Sequence, residues 1–116
     1  MGGPGVRDHF QEFEMSVELA HETLNQGEDV ILLDVRDDWE WEHAQIDGAI
    51  HIPLDELGGR INELDPAKEI IAYCHIGDRS VDACLLLWEA GFRKVRSMTG
   101  GIEAWSELID PAVPKY

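Results

Sequence analysis

Apolar residues fall along this chain in short blocks that alternate between two kinds of order. Val30-Ile31-Leu32-Leu33 is continuous and β-branched at its start, the mark of a strand buried on both faces. Residues 69–73 (Glu-Ile-Ile-Ala-Tyr) read the same way, and shorter runs over 49–52, closed by Pro53, and over 94–97 add two more strands. Between them the order is helical. Ser16 is a good N-cap for a helix over 17–26, where Val17, Leu19-Ala20 and Leu24 partly follow one stripe before Gly27 stops it. Residues 55–64 predict a short helix weakened by Gly58-Gly59, and 80–90 the strongest helix, ended by Gly91. A last helix is predicted over 101–109, before Asp110-Pro111. Strands alternating with helices predict an α/β fold with a mainly parallel sheet of about five strands, flanked by helices on both faces. Ligands of such sheets sit outside the carboxyl ends of the strands.

A length of 116 residues suits one domain, and no repeat, linker or low-complexity segment divides it. Met1-Gly2-Gly3-Pro4-Gly5 reads as the start of a flexible leader over 1–9, which leaves 10–116 as the domain. The longest apolar runs, 30–33 and 85–88, are far too short to cross a bilayer. No basic region precedes an apolar stretch at the start, so no secretory signal is read.

The net charge of −15, from 9 basic and 24 acidic residues, argues against nucleic acid as a partner. Acids are densest over 34–47, which reads as a solvated face, with steering toward a basic partner as the functional alternative. Cys74 and Cys84 form neither a C-x-x-C pair nor a disulfide framework, so a reducing, cytoplasmic setting is expected. Cys84 shares a helical face with Val81, Leu85 and Trp88 and reads as core.

The chemistry concentrates between the strand at 69–73 and the helix at 80–90, in Cys74-His75-Ile76-Gly77-Asp78-Arg79-Ser80. A thiol ends the strand, a glycine lets the backbone curl, an arginine adds fixed positive charge and a serine can cap the helix. The helix start offers unpaired N–H groups, and a curled loop aims more of them inward. Each of these favours a thiolate, against the plainer reading of Cys74 as a small buried hydrophobe.

Cys74-x-x-Gly77-x-Arg79-Ser80 after an apolar strand resembles the active-site loop of the single-domain rhodaneses, which are sulfurtransferases. Three further motifs appear in family order. Leu32-Leu33-Asp34-Val35-Arg36 and Ile46-Asp47-Gly48-Ala49-Ile50-His51-Ile52-Pro53 are similar to the two N-terminal signatures, and Gly100-Gly101-Ile102-Glu103-Ala104-Trp105 to the Gly-Gly-Ile-x-Ala-Trp signature. One departure is visible: Ala44-Gln45 stands where the family commonly has Gly-His. The resemblance implies a rhodanese-like fold and a persulfide carried on Cys74. It implies substrate binding by His75, Ile76, Gly77, Asp78, Arg79 and Ser80, without a metal or cofactor. Donors would be thiosulfate or a protein or small-molecule persulfide; acceptors would be cyanide, a thiol or a sulfur-carrier protein. The ending over 109–116 resembles the tail of rhodanese domains fused to adenylating enzymes that serve such carriers, although its two prolines could simply pin it to the body.

Two other readings compete. A rhodanese-like module can bind a partner without catalysis. A cysteine phosphatase or arsenate reductase needs five residues between Cys and Arg, whereas His75, Ile76, Gly77 and Asp78 make four here. Asp78 is an awkward neighbour for a dianionic donor unless it faces solvent or Arg79, the acid-pairing alternative to Arg79's role as anion binder. Asp34 and Arg36 read as a structural pair at a strand end. His9, His21, His43, His51 and His75 lack metal-ligand spacing. Gly100-Gly101 reads as a tight turn into the last helix. Trp39, Trp41, Trp88 and Trp105 read as packing residues, with Trp39 and Trp41 able to line a partner surface instead.

Overall fold

The alternation of strands and helices closes into a single sheet in the computed structural model, which describes residues 13–27 and 29–116. The strands are β1 (Glu14–Met15), β2 (Val30–Asp34), β3 (Ile50–His51), β4 (Glu69–Tyr73) and β5 (Val95–Met98). Their order is β1-β5-β4-β2-β3, and every pairing is parallel. Parallel neighbours need crossovers, supplied here by α1 (Val17–Gln26), α2 (Asp38–His43), α3 (Leu54–Leu57), α4 (Arg79–Glu89) and α5 (Gly101–Leu108).

The continuous apolar run of β4 follows from its central place. Ile70 and Ala72 face one core with Leu57 of α3 and Ala83, Cys84 and Leu87 of α4. Ile71 and Tyr73 face the other, with Val17 and Ala20 of α1 and Ile102 and Trp105 of α5. Helices therefore cover both faces, and no alternation with polar residues is left to see. Ser16 caps α1 as expected, its Oγ accepting from the Leu19 N–H at 3.0 Å. No helix among the described residues is long and apolar enough to cross a membrane.

Away from the cysteine loop, the structure departs from the sequence-based expectation mainly at three places. The helix expected over 55–64 breaks at Gly58-Gly59 into α3 and a 3-10 turn at Ile61–Glu63. β1 has only two residues, too few to show alternation, and is held by pairing of Met15 with Met98. α2 lies inside the acidic stretch taken for a solvated face. Its six residues are too few for a helical period, and it buries only Glu40. Its one sequence signal is Asp37-x-x-Glu40, a capping box in which the Asp37 N–H donates to Glu40 Oε2 at 3.0 Å. The leader read over 1–9 lies outside the described residues.

Candidate active site

β4, the middle strand, hands its last residue directly to Cys74, which is completely buried at the carboxyl end of the sheet. The chain then curls through Gly77, whose φ of +109° is a region side chains rarely adopt. This curl turns two backbone N–H groups onto the sulfur: Gly77 donates to Sγ at 3.1 Å and Ser80 at 3.4 Å. The thiol lies 3.5 Å from Ser80 Oγ and 3.6 Å from Asp78 Oδ1. His75, Gly77 and Arg79 are partly buried around it, while Ile76 and Asp78 are exposed.

Ser80 does not cap the helix. α4 begins one residue earlier than expected, at Arg79, with Asp78 in the cap position. Ser80 thereby falls in the first turn, above the sulfur, and its buried hydroxyl pairs with Ser97 of β5 at 2.7 Å. Asp78 does face solvent, but its carboxylate still reaches Sγ. The Arg79 backbone N–H, against some burial, holds that carboxyl below the usual range.

Arg79 pairs with an acid, though not with Asp78. Its guanidinium forms a two-pronged bridge to Glu40 of α2, at 2.7 and 2.9 Å. Such a fork matches a carboxylate in geometry as well as charge. Glu40 also accepts from the Tyr116 hydroxyl at 2.8 Å. Burial alone would raise the Glu40 carboxyl, but the bonds from Arg79, Asp37 and Tyr116 outweigh it and hold the pKa at about 2.

Asp34 and Arg36 form the expected structural pair, fully buried, with Arg36 Nη2 2.6 Å from Asp34 Oδ2. Arg36 also donates to the carbonyls of Glu40 and Ala44 and, at 2.8 Å, to the Tyr116 oxygen. Tyr116 in turn stacks on His75, ring centroids 4.1 Å apart and 14° from coplanar. One polar network, buried at Asp34, Arg36 and Glu40 and partly exposed at Arg79 and Tyr116, thus joins the end of β2, α2, the start of α4 and the tail. Gln45, at the departure from the family signature, turns away to the Trp41 carbonyl at 3.0 Å.

The tight turn read at Gly100-Gly101 has a definite purpose. Both glycines have positive φ, +84° and +61°. They bring α5 down onto the loop, so that Ile102 N–H donates to the Cys74 carbonyl at 2.9 Å and Glu103 N–H to that of His75 at 3.1 Å. A Cβ on Gly101 would run into both carbonyls. Cys84 is core, and burial pushes its thiol up to about 12. Trp105 is buried and Trp39 is not. Sequence reasoning missed Glu40, Ser97 and Tyr116 at this site. Only Glu40 left a local sign, its capping box.

The sequence over residues 16–108, which carries β2 to β5, the cysteine loop and the glycine turn, matches the rhodanese-like domain. The chain belongs to the rhodanese-like family. Among rhodanese relatives, the putative sulfur carrier protein YrkF of Bacillus subtilis is 39% identical over 80% of this chain and 50% of its own length. A sulfurtransferase of Allochromatium vinosum is 32% identical over 86% of this chain and 94% of its own. The chain spans only 24% of the probable adenylyltransferase/sulfurtransferase MoeZ of Mycobacterium tuberculosis, at 36% identity. Among solved structures, a rhodanese-related protein of Thermoplasma volcanium superposes with a TM-score of 0.76 at 27% identity, over 89% of this chain and 98% of that one. The human single-domain sulfurtransferase gives 0.73 at 25% identity, over 83% and 96%.

Proposed function

We propose that this protein is a sulfurtransferase that carries sulfane sulfur as a persulfide on Cys74. The observation that carries the reading is the convergence of the Gly77 and Ser80 N–H groups on Cys74 Sγ at the end of β4. The Cys74 thiolate attacks the outer sulfur of a sulfane donor, whose S–S bond breaks and leaves the electron pair on sulfite or a thiol. The terminal sulfur of the resulting persulfide is anionic, and N–H donors already in place stabilise such charge without reorganisation. An acceptor nucleophile then takes that sulfur and returns the thiolate. Candidate donors are thiosulfate and protein or small-molecule persulfides. Candidate acceptors are cyanide, thiols and a sulfur-carrier protein, the last in keeping with the name of YrkF as a putative sulfur carrier protein. Two free cysteines fit a reducing compartment such as the cytoplasm.

His75, Ile76, Gly77, Asp78, Arg79 and Ser80 form the cradle in this reading. Arg79 acts mainly by fastening the loop to α2, because Glu40 already occupies its fork. That engagement also disfavours phosphatase chemistry, which needs an arginine free to hold a tetrahedral oxyanion. Aryl phosphates should not be turned over.

Mass spectrometry after incubation with a sulfane donor tests the reading. One sulfur should add to the protein and leave with cyanide or dithiothreitol. Cys74→Ser should abolish the adduct and Cys84→Ser should not. An adduct that survives Cys74→Ser overturns the assignment, and a protein that takes up no sulfur from any donor is a partner-binding module instead.

A further inference from the structure

Beside the buried thiol runs an exposed apolar ridge. Ile76 of the loop is 60% exposed and Trp39 of α2 is 62% exposed. Tyr116 joins them: it stacks on His75, the neighbour of Ile76, and meets Trp39 edge-on with centroids 5.7 Å apart. Large apolar groups grouped at the mouth of a reactive site, with a polar fringe, mark a surface that a partner covers.

The fringe is acidic. Asp37, Asp38 and Glu42 on or beside α2, and Asp78 and Asp82 at the start of α4, are all exposed. The arginines and the lysine on the same segments are already engaged, and the exposed His43 of α2 meets Tyr116 edge-on with centroids 5.4 Å apart. Arg79 is paired with Glu40, Lys115 with Glu107 at 2.8 Å, and Arg36 is buried against Asp34. His75 lies 3.6 Å from Glu103. A dianionic donor entering here meets the Asp78 carboxylate at the sulfur and no unpaired guanidinium or ammonium among these groups. The whole chain, at −15, adds to that repulsion.

We infer that this ridge docks a basic protein segment bearing a cysteine persulfide, and that such a segment, rather than thiosulfate, is the sulfur donor. The inference rests on the reading of Cys74 as the sulfur carrier. Apolar side chains of the partner cover Trp39 and Ile76, while its lysines and arginines meet the acidic fringe. Because Cys74 is fully buried, the donor cysteine must project into the loop from an extended segment. In the transfer, Cys74 Sγ bonds to the terminal sulfur of the partner's persulfide and the partner's S–S bond breaks. The electron pair stays on the partner's cysteine sulfur, which takes up the proton released by the transferred terminal sulfur and leaves as a thiol, while the new persulfide on Cys74 is left anionic. No external oxidant or reductant is needed.

Two synthetic peptides of equal length test this, each with a persulfidated cysteine and an aromatic residue, one flanked by lysine and arginine and the other by glutamate. Glutathione persulfide and thiosulfate serve as small donors, and the readout is the rate at which sulfur appears on Cys74. The basic peptide should load Cys74 at least about tenfold faster than the acidic one in about 20 mM salt, with the gap closing near 0.5 M. Asp38→Lys with Glu42→Lys should remove most of that preference. Trp39→Ala should slow the basic peptide several-fold while leaving glutathione persulfide unchanged. Equal rates for the two peptides, or thiosulfate as the fastest donor, overturn the docking surface. If glutathione persulfide in excess loads Cys74 normally in that case, the sulfur-carrier reading stands. Failure of every donor to load Cys74 removes both.

Discussion

Replacing Glu40 by glutamine tests whether the site loop is held by the charge of one buried side chain. Glu40 is 3% exposed, bridges Arg79 through both oxygens, and takes further hydrogen bonds from Tyr116 and the Asp37 backbone. Glutamine keeps the shape but places an NH2 group against the guanidinium and loses the negative charge. A carboxyl held at about 2 instead of 4.5 contributes about 3 kcal/mol of stability near neutral pH by proton linkage. Arg79 is 30% exposed, so solvent screening brings the expected loss to about 2 kcal/mol. The sign follows from the depressed pKa. The contribution is complete above pH 4.5 and fades as pH falls toward about 2, where native Glu40 also becomes protonated. Urea unfolding followed by the fluorescence of the four tryptophans measures it. Near neutral pH the Glu40→Gln midpoint should fall by about 1–2 M urea, and the gap to wild type should shrink steadily between pH 4.5 and 2. Other carboxylates titrate in both proteins and cancel in the difference. A gap that stays constant across that range refutes the electrostatic account, as does a variant equal to wild type near neutral pH.

Gly101→Ala should cost about 3 kcal/mol or more in urea unfolding, since it combines a strained positive φ with collision against the Cys74 and His75 carbonyls, and it should slow sulfur loading. Gly58→Ala, at φ −60° with open space around the added carbon, should be neutral or stabilising by up to about 1 kcal/mol. Tyr116→Phe keeps the stack on His75 but leaves Arg36 and Glu40 each short of one partner, and thermal unfolding should show a loss of about 1–2 kcal/mol. Cys84, buried and raised to about 12, should resist iodoacetamide in mildly alkaline native protein and react once urea unfolds it. Labelling of Cys84 in the native state would mean that the α4 side of the core opens readily.

Much of what depends on neighbours along the chain was legible in the sequence, although the Asp37-x-x-Glu40 capping box was passed over. The both-faces burial of β2 and β4 shows as unbroken apolar runs, because helices cover the sheet on both sides of these central strands. The Asp34–Arg36 pair lies two residues apart at a strand end. The Cys74 loop is contiguous, so its thiol, curl and helix start declare themselves by spacing, and Gly27, Gly58-Gly59 and Gly91 punctuate as their backbone freedom requires. The rest came from where crossovers set elements side by side. Arg79 finds Glu40 thirty-nine residues away, Arg36 finds Tyr116 eighty away, and Ser80 finds Ser97 across the neighbouring strand. Such pairs have no period or fixed offset, so local propensity cannot choose among the many acids this chain offers to Arg79. The shift of α4 by one residue, which puts the Ser80 hydroxyl over the sulfur instead of at the cap, was likewise decided by tertiary contacts. Ser80 had a buried partner waiting in Ser97 and an acceptor in Cys74 Sγ, and those bonds outweighed its ordinary preference for a helix end.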